Sequence, residues 1–517
     1  MSDRGMARAA PVVRMPRGRQ FAVTWAIPSD YGGMTQAMLA RCASFARLGG
    51  TPVEVLTFDA HPDVPGLEAG LRSRGALAHG VSLVNLYEWL REHPLPGGSL
   101  RLDRDAFTPL DDAGADELLR RGDRVVARLR HDDAGRLLQI DHLRADGTLV
   151  LSDRRDARER GAVGGRSVVL CDESGAPVRS WARVWHLYTA WLDALTAGER
   201  SFMIVDSKTI APFMLGYRRK HVVTAHVVHA SHRSGRGETH PVRASRREVF
   251  DRIDEFDLVA LLSKRQAEEV AELVGERPNV VVIPNARPAR QGSAPTIVRP
   301  RSGGVVLAAL TRRKRVQDAV RAMTLANAEQ AQPVRLDVYG DGECRAEVEA
   351  LAAKAPGVRL HGYDPTARQH LDGASFLLLT SRSEGFPLVL VESMAAGCLP
   401  IAYDIRYGPA DLIRDGRTGF LVPEGDVEGL ARAVRRLEAM PAARVAAMRR
   451  RAMQAARDFD EERVVAKWSL ELTRALERRQ HRRPSWRLRL RRAVSHSPLG
   501  PVLRTVLRPV RAVRAHR

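Results

Sequence analysis

The 517-residue sequence predicts an α/β protein of two Rossmann-like domains facing a cleft, with an antiparallel β-meander inserted in the first. Three observations carry this. A strand, glycine loop, helix and strand open the chain at 19–58. Alternating apolar and polar residues interrupt that rhythm at about 88–190. A second series of short apolar runs follows a segment rich in Pro, Gly, Ser and Arg. The division that results is a flexible N-terminus (1–19), a first domain (20–290), a linker (291–303), a second domain (304–440), C-terminal helices (441–477) and a basic tail (478–517).

In order along the chain, "RQFAVTWAIPSDYGGMTQAMLARCASFARLGGTPVEVLTF" gives the first strand and helix. Gly32 and Gly33 allow a ligand close to the backbone at a strand end, although a plain tight turn has the same composition. The meander has turn signals at Asp133-Ala134-Gly135 and Ala145-Asp146-Gly147. Strands resume at 201–207, 220–226, 258–263 and 279–285. Beyond the linker, "GVVLAAL", "VRLDVYG", "VRLHGY", "SFLLLTS" and "LPIAYD" are the strands of the second domain.

Composition narrows the function classes. The apolar fraction, 44%, is that of a globular protein, and no run approaches the ~18 apolar residues of a membrane span. The first twenty residues lack the apolar core of a secretory signal. Cys42, Cys171, Cys344 and Cys398 show neither metal-ligand nor disulfide spacing, so a cytoplasmic, reduced, metal-free protein is expected. The net charge is +21, but thirteen arginines and no acidic residue fall between Arg478 and Arg517. The basic character is therefore concentrated in the tail. A nucleic-acid-binding body would interleave its basic residues with aromatics, which are only 5% here, so nucleic acid is not an expected partner. No GxGxxG follows the first strand of either domain, and no Walker sequence occurs, which argues against nicotinamide chemistry and an ATPase.

The densest chemistry lies in "SRSEGFPLVLVESMAAGCLP", residues 381–400. The run 374–382 reads as a buried parallel strand, Pro387 suits the first position of a helix, and Gly397 suits its left-handed cap. Glu384 then sits at the carboxyl end of a strand, where open α/β sheets bind ligands. Glu392 lies about five residues into the helix, roughly 7–8 Å along its axis. The helix start between them favours an anion. The segment can present a carboxylate, a phosphate site and a second carboxylate in a row, as a sugar, its diphosphate and a ribose require. Simple capping with one solvated Glu is the plain alternative. A glycosidase pair is a poorer fit, because two carboxylates on one side of a helix start do not flank a bond.

With "VYGDGE" and "IPN", these residues resemble GT-B retaining glycosyltransferases of glycosyltransferase family four. "AYDIRYGPADLIRDGRTGFLVPEGD" is similar to the branch of poly(glycerol- or ribitol-phosphate) α-glycosyltransferases of wall teichoic acid. The resemblance covers roughly residues 20–475. It implies that Glu392 binds ribose hydroxyls and that Glu384 contacts the donor sugar near the reacting carbon. It implies further that Gly385, Phe386 and Leu388, with Gly340 of "VYGDGE", lie beside the UDP-sugar. Lys314 matches the family lysine that stabilises the leaving diphosphate. The family arginine five residues earlier is Ala309 here, so Arg312 or Arg313 is expected to substitute. His226 matches the family histidine that touches donor or acceptor. His226, His229 and His232 also invite a metal reading, but the segment lacks a carboxylate ligand and enzymes of this kind need no metal or other cofactor.

The expected reaction is retaining transfer of glucose or N-acetylglucosamine from a UDP-sugar to a hydroxyl of an anionic polyol-phosphate or related glycan. A nucleotide-sugar epimerase or a phosphorylase on the same architecture remains open. Two further expectations are a homo-oligomer formed through the β-rich insertion and a peripheral anchor of 478–517 on the anionic inner face of the cell membrane.

Overall fold

The computed structural model describes residues 13–481, apart from 96–97, 102–106, 236–240, 288–295 and 329. Residues 1–12, most of the basic tail and part of the linker lie outside the described residues.

The first domain is built on seven parallel strands. Their spatial order is Val280–Val282, Leu258–Leu261, Val222–Val228, Ser201–Val205, Arg19–Val23, Val53–Thr57 and Val81–Asn85. Strands rich in Val, Ile and Leu with no polar alternation must be covered on both faces, and Ser201–Val205, Val222–Val228 and Leu258–Leu261 are buried throughout. Chain order runs outward in both directions from the neighbours Arg19–Val23 and Ser201–Val205, which makes their carboxyl ends the crevice where such sheets bind ligands. The second domain repeats the scheme with six parallel strands. Their order is Val358–Gly362, Leu336–Tyr339, Gly304–Leu307, Phe376–Leu379, Leu399–Asp404 and Phe420–Pro423, with the reversal between Gly304–Leu307 and Phe376–Leu379.

The third sheet is the expected meander. Six antiparallel strands run in sequence order, Glu117–Arg121, Arg124–His131, Leu137–Leu143, Leu149–Arg154, Ser167–Cys171 and Pro177–Trp181. The insertion leaves the first domain after its edge strand Val81–Asn85 and returns at Ser201–Val205 beside the first strand.

Helix ends follow local chemistry. Asn85 caps Leu86–Glu92, Ser263 caps Lys264–Val274 and Asp426 caps Val427–Ala439, each by a side chain accepting a free N–H of the first turn. The chain does not stay in the second domain. After Phe459 the helix Glu461–His481 crosses back and packs on Gly33–Gly49 of the first, with the Trp468 ring 6.2 Å from Phe45. At the crossing, the Arg287 N–H donates to Phe459 O at 2.9 Å, and its guanidinium lies 2.6 Å from Asp460.

Two boundaries differ from those expected. Residues 13–18 are part of the folded body, since the Val13 N–H donates to Leu48 O and Met15 is buried. The last helix continues to His481, and Arg479 Nη1 reaches Asp257 Oδ2 at 2.6 Å, so the first residues assigned to the tail are anchored.

Candidate active site

The two switch points supply the site. In the second domain, Gly304–Leu307 leads into the loop bearing Arg312, Arg313 and Lys314, and Phe376–Leu379 leads into the loop bearing Glu384. Lys314 Nζ lies 2.6 Å from Glu384 Oε1, and Arg313 Nη1 lies 3.2 Å from Oε2. Burial works against charge on this carboxylate, but Lys314 and Arg313 outweigh it and hold Glu384 below the usual glutamate range. The two cations thus converge on one point next to a buried anion. Arg312 and Arg313 are both exposed, and Arg313 is the one of the two whose side chain reaches Glu384.

Gly340 explains how these loops stay close. Its φ is +149°, and a Cβ there would stand 1.9 Å from Ala308 O. The "YGDG" backbone therefore lies directly against 308–310, and the Leu310 N–H donates to Asp341 O at 2.8 Å. The loop before the helix Leu388–Ala395 is equally constrained. A Cβ on Gly385 would come within 1.8 Å of His229 O of the first domain, so no side chain is accommodated there. Phe386 is buried against Phe459, with ring centroids 5.5 Å apart, and Leu388 is half-buried at the first helical position. Among the described residues, the Gly385 and Phe386 N–H groups have no protein acceptor, whereas the Leu388 N–H donates to Phe386 O. Two free amides and a helix start next to Lys314 and Arg313 suit a diphosphate.

Glu392 sits on the same helix with its side chain only 10% exposed, and its two oxygens accept from Arg368 Nε at 2.9 and 3.0 Å. Arg368 is absent from the sequence-based set. The two are 24 residues apart, on a turn and a helix joined by a strand, and no local pattern links them.

Across the cleft, Gly32 and Gly33 begin the helix Gly33–Gly49 beside the first-domain switch point, and a Cβ on either would meet nothing. The histidines divide differently from expectation. The strand continues to Val228, so His226 lies within it, not at its end. His226 is buried, with Nδ1 2.9 Å from Val205 O and its ring stacked on Phe256. Burial pushes its pKa down to about 4, which keeps it neutral. The cleft histidine is His229, one residue past the strand and half-buried. Its Nε2 is 2.7 Å from Asp206 Oδ1, and Asp206 is in turn held by Arg41 at 2.7 and 2.9 Å. Burial alone would raise the Asp206 pKa, but Arg41 overrides it and the carboxyl falls to about 2. His232 is fully buried and is also pushed down to about 4, chiefly by burial. Among the described residues, no group of three His, Cys, Asp or Glu side chains is placed to hold a metal ion.

A cavity of about 390 Å³ opens elsewhere, between the helix Leu86–Glu92 and the inserted sheet. Its wall carries Glu88, already paired with both Arg91 and Arg121, and none of its lining residues belongs to the second domain.

Comparison with known proteins meets this geometry. Residues 303–439, which contain Lys314, Arg313, Glu384 and Glu392, match the family model described as Glycosyl transferases group 1. They form a group 1 glycosyltransferase domain. Around the group 1 domain, the described residues have the GT-B fold. It superposes on the crystal structure of TarM with a TM-score of 0.72 at 17% identity, covering 88% of this chain and 99% of that one. It also superposes on the pneumococcal O-GlcNAc transferase GtfA in complex with UDP and GlcNAc, with a TM-score of 0.62 at 18% identity, covering 89% and 99%.

Curated relatives match in part. One is the exopolysaccharide phosphotransferase SCO2592 of Streptomyces coelicolor, 35% identical over 35% of this chain and 20% of that protein. Another is the poly(glycerol-phosphate) alpha-glucosyltransferase of Bacillus subtilis, 24% identical over 40% and 31%. A third is the poly(ribitol-phosphate) alpha-N-acetylglucosaminyltransferase of Staphylococcus aureus, 22% identical over 45% and 47%. The chain thus spans from a fifth to about half of the length of these relatives.

Proposed function

We propose that this chain is a retaining, metal-independent hexosyltransferase. It moves glucose or N-acetylglucosamine from a UDP-sugar to a hydroxyl of a polyol-phosphate wall polymer or a related glycan. The convergence of Lys314 and Arg313 on Glu384, beside two free backbone amides at a helix start, carries the reading. The relatives that act on poly(glycerol-phosphate) and poly(ribitol-phosphate) support the substrate class.

In this reading the diphosphate lies against Gly385 and Phe386 N–H, with Lys314 and Arg313 stabilising the negative charge that grows as the sugar–phosphate bond breaks. Glu384 contacts the sugar, and Glu392 takes the ribose hydroxyls in competition with Arg368. His229, fixed by Asp206, takes the cleft role first given to His226. The acceptor hydroxyl approaches from the first domain on the face the diphosphate leaves, which retains the anomeric configuration. The protein contributes placement and fixed charge, without a covalent intermediate. We place the protein in the cytoplasm, peripheral on the inner membrane face through its basic tail, with the inserted sheet as the self-association surface.

A donor screen that detects free UDP, run with and without purified wall polymer, tests the function. UDP release that depends on polymer supports it. UDP released equally without polymer points to an epimerase, and sugar phosphate formed from polymer and inorganic phosphate points to a phosphorylase.

A further inference from the structure

The "IRYGP" stretch, residues 405–409, is part of what marks the chain's branch, yet none of its side chains lies among the groups assigned to the donor. Its backbone does reach Glu384. The Glu384 N–H donates to Arg406 O at 3.3 Å, and the Tyr407 N–H donates to Glu384 O at 3.0 Å. Gly408, at φ +110°, passes so close to Pro387 that a Cβ would stand 2.3 Å from Pro387 Cδ. Residues 406–408 therefore brace the loop 384–387 along its length.

The side chains of the same residues face the other domain. Tyr407 is fully buried, and its hydroxyl donates to Glu269 Oε2 of the first-domain helix Lys264–Val274 at 2.5 Å. Arg406 Nε lies 3.0 Å from Glu269 Oε1, and Arg233 of the first domain lies 3.2 Å from Oε2. The His232 ring stacks parallel to Tyr407, with centroids 5.9 Å apart. One carboxylate of the first domain thus grips both residues whose backbone flanks Glu384. A buried carboxylate with these donors holds one geometry, because any other leaves charge unpaired.

We propose that Glu269 and Tyr407 form an interdomain clasp that positions Glu384, so that the donor sugar is aligned for transfer only when the two domains meet. Tyr407 and Glu269 are positioning residues, acting through the backbone of Glu384. The inference rests on the reading of Glu384 as a donor-sugar contact. The ribose contact through Glu392, on the helix Leu388–Ala395, lies within the second domain and does not need the clasp.

The test uses the full-length chain and Tyr407→Phe, which deletes one oxygen and keeps the ring. UDP affinity is read by calorimetry, and turnover by release of UDP from the donor that the screen identifies. The expected result is UDP affinity within about twofold of wild type and kcat lower by roughly ten- to a hundredfold. Adding Glu269→Ala to Tyr407→Phe should produce no further loss beyond the worse single variant. Small-angle scattering should show a larger radius of gyration for Tyr407→Phe saturated with UDP.

Wild-type kcat in Tyr407→Phe, or a loss that only follows the fraction unfolded, overturns the clasp. Glu384→Gln is run beside it. If Glu384→Gln loses turnover while Tyr407→Phe does not, the clasp alone fails. A fully active Glu384→Gln removes the reading of the site, and the clasp with it.

Discussion

Arg368 Nε donates to both oxygens of Glu392, so the carboxylate assigned to the ribose already has a partner within the protein. Arg368 is half-exposed, and an ion pair with one exposed partner contributes at most about 1 kcal/mol. Glu392→Gln is expected to weaken UDP binding by about 1.5–3 kcal/mol, the cost of a lost charge-assisted hydrogen bond. Arg368→Ala should change the affinity by less than about fivefold. Calorimetric titration with UDP separates the two, and equal effects would refute the assignment of Glu392.

Lys314 and Glu384 are expected to act on turnover more than on binding. Lys314→Ala should slow transfer by roughly ten- to a thousandfold. Glu384→Gln should lower kcat while UDP affinity stays near wild type. Steady-state kinetics of UDP release decide. If Lys314→Ala is unaffected, the leaving-group role passes to Arg313.

Gly385→Ala asks whether the domain contact matters. A Cβ at 1.8 Å from His229 O cannot be relieved by a side-chain rotation, because the atoms it meets, of His229 and Ala230, are all backbone. The variant should keep its far-ultraviolet circular dichroism, lose most of its transfer activity and show a wider interdomain separation by small-angle scattering. Full activity would place the donor loop away from the first domain.

Asp206 links stability to pH. Its pKa is held at about 2, below the ordinary aspartate value of 3.8, so the folded form binds the proton more weakly than the unfolded form. Its contribution is therefore complete above about 4 and is lost as pH falls through about 2. Asp206→Asn leaves Arg41 buried without its anion, and should lower Tm at neutral pH. It should also flatten the fall of Tm between pH 4 and 2. Thermal melts across that range give the comparison, and parallel wild-type and variant curves would contradict it.

The membrane role of the tail is tested by truncation after His481, because Arg478 and Arg479 are tied to Asp257. The shortened chain should lose salt-sensitive binding to vesicles containing anionic lipid and keep its activity on a soluble acceptor. A full-length chain that ignores such vesicles at low salt would end the proposal.

What could be read from the residues alone follows their physics. The strand Phe376–Leu379 is legible because four consecutive apolar residues have no exposed face to offer. Val81–Asn85 and Phe420–Pro423 escape because neither is buried throughout: the first alternates in burial and the second ends exposed at Pro423. Glu384 and Glu392 are legible because one helix start orders them. His226 is misplaced because a histidine within "VVTAHVV" reads as the end of an apolar run, when two valines carry the strand past it. Arg368, Asp206 with Arg41, and Glu269 with Tyr407 meet only after folding, up to 165 residues apart. No periodicity in the chain announces them.

The second crossing of the chain has a mechanical consequence. A pair of domains joined by a single thread can rotate about three axes, whereas this pair is joined at Arg287 and again at Phe459–Asp460, and the two threads are bonded to each other. Two adjacent tethers act like a door on its pins. They permit a swing about the line between them and resist twisting and sliding. Such a swing would bring the surfaces bearing Tyr407 and Glu269 together along one arc and in one register. Alignment at the cleft then depends on the stiffness of this joint as well as on the strength of the contacts there, and Phe459 of the joint packs directly on Phe386 of the donor loop.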